Sequence, residues 1–465
     1  MHAVARRPDR GSAGGEEIAL LTDFYQLTML QAYWREEMHD EAVFSLFVRR
    51  LPRSRNYLLA CGLDDALAYL EQLRFPPAAL EHLGTYKELS AGFLDWLAEL
   101  RFTGDVHAVQ EGTPVFAGEP ILEVVASLPE AQFVETFVMN QVHLQTVLAS
   151  KAARIVEAAG GRAVIDFGLR RMHGAEAGLK AARAFYIAGV VATSNVLAGR
   201  AYGVPVTGTM AHSYVQAHDE EIEAFRAFAE LYPGTILLVD TYDTRQGIEK
   251  VLQLAREMGE RFAVRGIRLD SGDLAALAFE ARRVLDDAGL DSVEIFASGG
   301  LDESEIAALV EAGAPIAGFG VGTAMGVSRD APAIDLAYKL TAYAGRGRVK
   351  LSPGKPILPG RKQVFRVEER GIAIRDILAR ADEEPAGRPL LEKVMARGAR
   401  LPAGRLPLES ARERARDEIG RLPERIRTLG PADPPYPVEI SPALADYRAE
   451  VVEALTESRA GEAVR

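Results

Sequence analysis

The sequence predicts an α/β fold whose centre is a parallel sheet curled into an incomplete barrel, with a smaller α+β region before it. Three observations predict this. Between about residues 160 and 325, short apolar segments alternate with amphipathic helical patterns. Such βα alternation puts helices over a parallel sheet, whose buried strands read as nearly continuous apolar runs. Polar and glycine-rich residues recur at the end of each apolar segment. Finally, the first 130 residues have a different texture, with alternating strands and turn signals.

In chain order, "TDFYQLTMLQAYWRE" has Thr22 or Asp23 as a helix N-cap candidate and apolar residues at helical spacing. "EAVFSLFVRRLP" alternates like a strand, and "VHAVQEGTPVFAGEPILEVVA" reads as short strands broken at Glu111–Gly112 and Ala117–Gly118. One long amphipathic helix is expected through "AQFVETFVMNQVHLQTVLASKAARIVEAAG". The expected strands are then "AVIDFG", "GVVATSN", "VPVTGT", "TILLVDTY", "RGIRLDSGD", "VEIFASGG" and "IAGFGVGT". That number in so short a span favours a barrel over an open sheet. After residue 345 a basic, Gly- and Pro-rich stretch leads into the strand-like "QVFRVEE"; beyond about residue 380 the chain reads as charged and helical.

Composition narrows the function. The chain has 465 residues, 48% of them hydrophobic, and a net charge of −12. That length suggests more than one domain, because single cores stop growing near about 250–300 residues. The acidic balance argues against a nucleic-acid surface, though not against a local phosphate pocket. A single cysteine, Cys61, excludes an internal disulfide and fits a reducing cytoplasm. The first seventeen residues have no apolar run and read as a disordered tail. No stretch approaches the ~20 apolar residues of a membrane span.

The polar residues fall at strand ends: Asp166–Phe167–Gly168 with Arg170 and Arg171; Ser194–Asn195; Thr209 and His212; Asp240 and Asp243; Arg268, Asp270, Ser271, Gly272 and Asp273; Ser298, Gly299 and Gly300; Gly320, Gly322 and Thr323. In a parallel sheet these ends share one face, where active sites are built. Taken singly, each cluster has a plainer meaning. "SGG" and "GVGT" are turn glycines or a phosphate grip of backbone N–H groups. "RLDSGD" is a helix cap using Asp270 or Ser271, or a place where Arg268 meets an anion while Asp270 and Asp273 hold ribose hydroxyls or a magnesium diphosphate. Arg170–Arg171 is a solvated pair or a phosphate clamp.

No Walker A pattern is present, and "GFGVGT" lacks the third glycine of a dinucleotide fingerprint. His212 and His218 are six apart, without metal-site spacing. The lone imidazole in "GTMAHSYV" therefore calls for another explanation.

"DFYQLTM", "DFGLRRMHG", "ATSNVLAG", "GTMAHSYV", "LVDTYDT", "IRLDSGDL", "ASGGL" and "GFGVGT" together, in this order, resemble the nicotinate phosphoribosyltransferase family from about residue 18 to 370. The resemblance implies the type II phosphoribosyltransferase architecture: an irregular α/β barrel plus an α/β sandwich from N- and C-terminal segments. The expected organisation is a tail at 1–15, sandwich at 16–130, barrel at 131–345, return segment at 346–400 and helical segment at 401–465.

The resemblance also implies an activity. Nicotinate and 5-phosphoribosyl 1-diphosphate give nicotinate mononucleotide, with Mg²⁺ accompanying the diphosphate and ATP as co-substrate, in a homodimer that shares its sites. His212 stands at the transiently phosphorylated histidine, and Asp240 is the candidate to fix its tautomer. Phe167 and a partner subunit's Tyr25 would stack on the pyridine, with Arg268 and Thr209 near it. Ser194 stands where nicotinamide-using relatives carry aspartate. Arg170, Asp270, Gly299, Gly300, Gly322 and Thr323 match the ribose-phosphate and diphosphate region, and Arg171, Ser271, Gly272, Asp273, Ser298 and Gly320 are further expected substrate-binding residues. Lys350, Lys355 and Lys362 lie in a basic segment that either closes over the nucleotide or stays solvated. The competing readings are a nicotinamide- or quinolinate-using enzyme and a non-catalytic nucleotide-binding homologue.

Overall fold

The computed structural model describes residues 17–352 and 357–463. The expected N-terminal tail and Lys355 lie outside them. The chain forms two compact units. One comprises Val147–Pro332 with Arg427–Pro431; the other is built from the N-terminal and C-terminal remainder.

The first unit contains a six-stranded sheet: β1 (Ala163–Asp166), β2 (Ala192–Thr193), β3 (Ile236–Leu238), β4 (Gly266–Leu269), β5 (Glu294–Ala297) and β6 (Gly318–Val321). Its order is β2-β1-β6-β5-β4-β3, and every pairing is parallel. Helices such as Ala175–Ile187, Thr244–Met258 and Leu274–Asp287 provide the crossovers. Asp243 and Asp273 cap the last two by accepting from Gln246 N and Ala276 N.

One expected strand is corrected. "VPVTGT" forms only an isolated parallel bridge, Val206 to Thr193. Pro205 has no N–H to give, so the pairing reduces to Thr193 N donating to Pro205 O and Thr207 N donating to Thr193 O. The barrel is thus incomplete between that bridge and β3. The long helix is also divided, into Leu128–Phe133 and Glu135–Ala158.

The second unit holds an antiparallel seven-stranded sheet whose centre is Leu336–Tyr343, Glu41–Val48, Pro120–Ser127 and Asp105–Val109. Leu391–Ala396 joins it beside Asp105–Val109, a correction to the helical expectation beyond residue 380. Strand formation there depends on a partner almost three hundred residues away, which local pattern does not reveal. A four-stranded sheet includes Lys362–Glu369 and Ile372–Arg380. Lys362 is buried and ion-paired with Glu123 at 3.1 Å, so it is neither a solvated nor a mobile lysine.

This unit buries an ionic core. Arg366 donates to both oxygens of Asp376, at 3.0 and 2.7 Å, to Glu418 and to the carbonyl of Pro114. Tyr436 donates to Asp376. Glu119 sits against this cluster; its Oε2 accepts from Phe116 N, while its buried Oε1 receives no donor. Burial first, then the Asp376 carboxylate, raise the Glu119 pKa well above 4.5, with Arg366 opposing. A raised carboxyl pKa contributes stability that is full below the unfolded value and declines as pH climbs toward the folded value. Glu119→Gln, which keeps a donor without titrating, is expected to flatten the loss of melting temperature from pH 4.5 upward, as read by calorimetry across pH. An identical slope in both proteins would refute a raised Glu119 pKa.

Candidate active site

The carboxyl ends of β1, β2, β4, β5 and β6 line a cavity of about 430 Å³. At the end of β1, Asp166 is buried and bonds its neighbours: it accepts from Gly168 N at 2.8 Å and from Thr193 Oγ1 at 2.7 Å. Burial raises its pKa, and those two donors oppose the shift. Its role is to join β1 to β2, leaving Phe167 to turn into the cavity. The Phe167 ring lies so close over β6 that a Cβ on Gly320 would meet it at 2.6 Å. Glycine at 320 is therefore required by contact, not by backbone angle.

Arg268, on β4, faces the same ring with its guanidinium carbon 5.9 Å from the centroid. It donates to Thr209 Oγ1 at 2.8 Å and to the carbonyl of Met210 at 2.9 Å. These bonds bring the segment after the Val206 bridge across the open side of the sheet. Its Nε is buried with no acceptor. Burial lowers its pKa and the Asp270 and Asp240 carboxylates oppose this. A planar cation beside an aromatic face suits a flat carboxylate. Arg170 and Arg171 are exposed on the cavity wall.

His212 is half-buried at the first turn of helix His212–Gln216. Its Nδ1 is 3.2 Å from Thr241 Oγ1, and its Nε2 lies 3.8 Å from Asp270 Oδ2. Asp240, the sequence candidate for its partner, is turned elsewhere: Oδ2 accepts from Asp270 N and Ser271 Oγ, both at 2.8 Å. The neighbour Thr241, which like Asp240 lies beyond the last residue of β3, takes the place expected of Asp240. The "DTYDT" stretch offered that signal.

The remaining groups follow β4, β5 and β6. Ser298 donates to Asp270 Oδ1. Gly299 and Gly300 both have positive φ, +93° and +73°, and with Gly322 and Thr323 they line the cavity. A Cβ at 299 would stand 1.8 Å from the Asp270 carbonyl oxygen, so the turn closes on β4 only with glycine.

The cavity thus brings together Phe167, Arg170, Arg171, Ser194, Thr209, His212, Arg268, Asp270, Ser298, Gly299, Gly300, Gly320, Gly322 and Thr323. Gly208, Met210 and Ala211, which the sequence did not single out, add backbone to its wall. Asp240 and Ser271 stand behind it through the bonds above. Asp273 is a helix cap; Gly272 only turns the chain, at φ +82°. Tyr25 belongs to the other unit, exposed on helix Phe24–Arg35.

Comparison with known proteins fits this geometry. Residues 20–143 match the nicotinate phosphoribosyltransferase N-terminal domain, and 163–362 match the nicotinate phosphoribosyltransferase family. The chain belongs to the nicotinate phosphoribosyltransferase family. It is 54% identical over 423 residues to a nicotinate phosphoribosyltransferase of Mycobacterium tuberculosis, covering 91% of each chain. It is 43% identical over 360 residues to one from Bacillus subtilis, covering 76% of this chain and 74% of the other. The crystal structure of human nicotinic acid phosphoribosyltransferase superposes with a TM-score of 0.82 at 30% identity, over 92% of this chain and 99% of that one.

Gly299→Ala is expected to weaken binding of inorganic diphosphate at least about tenfold by calorimetry, given how steeply such sites depend on placement. Gly313→Ala, at φ +66° with open space around it, serves as the control and should bind normally. Unchanged affinity in Gly299→Ala would exclude that turn from the anion site.

Proposed function

We propose that this chain joins nicotinate to 5-phosphoribosyl 1-diphosphate, releasing diphosphate and forming nicotinate mononucleotide for NAD synthesis, with the reaction coupled to ATP through His212. The observation that carries the reading is the cavity's division into two chemistries. Phe167 and Arg268 offer a stacking face and a cation at one place; Gly299, Gly300, Gly322 and Thr323 offer a backbone anion cradle at another. A flat carboxylate and a phosphorylated ribose are the two ligands such a cavity suits.

In the glycosyl step the pyridine nitrogen attacks C1 of the ribose, the C1–O bond to diphosphate breaks, and the bonding pair leaves with diphosphate. Positive charge develops on the ribose as negative charge develops on the leaving group. Positioning and charge stabilisation dominate such a step. Ser194 presents no carboxylate to repel nicotinate, which favours the acid over the amide.

For phosphoryl transfer, the tautomer with Nδ1–H donating to Thr241 Oγ1 leaves the Nε2 lone pair free. Nε2 can then attack the γ-phosphorus of ATP as the bond to ADP breaks, with no proton to remove. Asp240 Oδ1 is buried without a hydrogen-bond partner, and Asp270 lines the cavity, a donor pair suited to a hard cation. Among the described residues no cluster of three or more His, Cys, Asp or Glu forms a metal cage. Asp240 and Asp270 would hold Mg²⁺, which would supply positive charge to offset the negative charge of the departing diphosphate. Tyr25 of a second copy would complete the pyridine stack in a homodimer. No helix among the described residues is long and apolar enough to cross a membrane, and a cytoplasmic location fits the single cysteine.

Steady-state assays with nicotinate, nicotinamide and quinolinate, each with and without ATP, test the reading. Nicotinate should be preferred by roughly two orders of magnitude and stimulated by ATP; equal or better turnover of nicotinamide would overturn the assignment. His212→Ala should abolish ATP stimulation and acid-labile phosphorylation while the melting temperature stays near that of the wild type. Retained stimulation would remove His212 from the coupling. Separately, Tyr25→Ala and Phe167→Ala proteins, each inactive, should regain activity when mixed. Confirmed mixed dimers without activity would rule out a shared site.

A further inference from the structure

The two glycine turns of the anion cradle come from different strands, yet side chains outside the cavity join them. Lys151, on helix Glu135–Ala158, is buried with its side chain 2% exposed. Its ammonium donates to Glu303 Oε2 and, at 2.7 Å, to Asp330 Oδ1. Glu303 opens helix Glu303–Glu311, directly after the Ser298–Gly300 turn. Asp330 follows the Gly322–Thr323 turn and the short helix Thr323–Gly326.

A second link runs parallel to the first. Arg329 donates to Asp302 Oδ2 at 2.8 Å, and Asp302 is the N-cap of the Glu303 helix, in a capping box with Glu305. Arg154, one turn along from Lys151, donates to the other oxygen of Glu303 at 3.1 Å. Burial raises the Glu303 pKa, but Lys151 and Arg154 outweigh it and the net shift is downward, so the carboxylate stays charged. The chain bends to make this possible. Ser328 adopts φ +43°, a region that non-glycine residues rarely enter, and its hydroxyl donates to Ala331 O at 2.8 Å.

From this arrangement we infer that Lys151 is a positioning residue that sets the spacing between the Gly299–Gly300 and Gly322–Thr323 turns, and thereby the affinity for the phosphoribosyl diphosphate substrate. The inference rests on the reading that these turns hold phosphate groups. The turns follow the neighbouring strands β5 and β6, whose pairing ends at Ala297 and Phe319, and beyond it Gly299, Gly300 and Gly322 have no side chains with which to fix the separation. Lys151 supplies a rigid strut between the segments that follow them, and Arg329 with Asp302 keeps those segments from rotating about it.

Asp330 is the gentler place to cut, since its side chain is 31% exposed while Lys151 and Glu303 are almost fully buried. Asp330→Ala removes one end of the strut and leaves Lys151 paired with Glu303. Asp330→Asn keeps an oxygen for the ammonium. The test is steady-state kinetics on the wild type, both Asp330 variants and Lys151→Met, with calorimetric titration of inorganic diphosphate into each. Asp330→Ala should raise the KM for phosphoribosyl diphosphate and the Kd for diphosphate about tenfold, in line with the cost of a small misplacement. The KM for nicotinate should stay within about twofold, and Asp330→Asn should recover most of the loss. Lys151→Met should show the same split, or a larger one, wherever it folds.

A purely structural role would lower the melting temperature and leave both phosphate-side constants unchanged in Asp330→Ala; that result overturns the inference. Equal losses for nicotinate and phosphoribosyl diphosphate overturn it as well. A wild type that binds diphosphate without turning over nicotinate would instead refute the proposed function, and the diphosphate titrations would still decide the role of Lys151.

Discussion

Everything at the site depends on six strands running the same way. A parallel sheet needs a crossover between each pair of strands, and the helices that supply it all return to the same starting edge. Every strand therefore ends on one rim, however far apart the residues are in sequence. Phe167, Arg268, Ser298 and Gly320 lie on or directly after four different strands, yet line one cavity. Had one of these strands run antiparallel, its polar end would face the opposite side of the sheet and leave the cavity without a wall.

Convergence alone does not fix a rim, because loop backbone at strand ends has unpaired N–H and C=O groups. Two carboxylates meet that need here. Asp166 joins β1 to β2 through Gly168 N and Thr193 Oγ1, and Asp240 joins the β3 end to β4 through Asp270 N and Ser271 Oγ. Carboxylates accept several donors at once, so one side chain can fasten two strand ends. The acids nearest the cavity thus divide by task. Asp166 and Asp240 hold backbone, while Asp270 reaches toward His212. The same division reconciles a chain of net charge −12 with a pocket that offers three arginines, because the site's field is set by the side chains lining it.

The sequence made the rim legible because βα periodicity locates strand ends without any knowledge of the fold. It was less informative about which of two adjacent polar residues faces inward. Asp240 and Thr241 both follow β3, and only the bend of the chain there decides that Thr241 meets His212. In "RLDSGD" the sequence offers Asp270 or Ser271 as the helix cap, and the structure uses Asp273 instead. The Pro205 segment looked like a strand by apolarity, but lacked the N–H needed to extend its bridge. Leu391–Ala396 and the Glu123–Lys362 pair were hidden for another reason: each joins residues more than two hundred positions apart. Lys151 and Arg154 were visible only as polar residues on an amphipathic helix, since nothing local marks which charge is buried.

Burying those charges has an electrostatic consequence for a phosphate site. Lys151, Arg154 and Arg329 are three cations, and Glu303, Asp330 and Asp302 are three anions, each paired within the same group. The formal charges of these six side chains sum to zero, so together they brace the two turns proposed to hold phosphate without adding net charge behind them. An unpaired lysine there would attract phosphate away from the cavity side, and an unpaired glutamate would repel it from the glycine turns. Apolar struts of the same size would also be neutral, and replacing buried pairs with them is often stabilising. They would not, however, hold two loops at a fixed separation, because dispersion contacts have no preferred direction whereas a lysine shared by two carboxylates does. Placement of the turns, more than stability, is what this choice of residues provides.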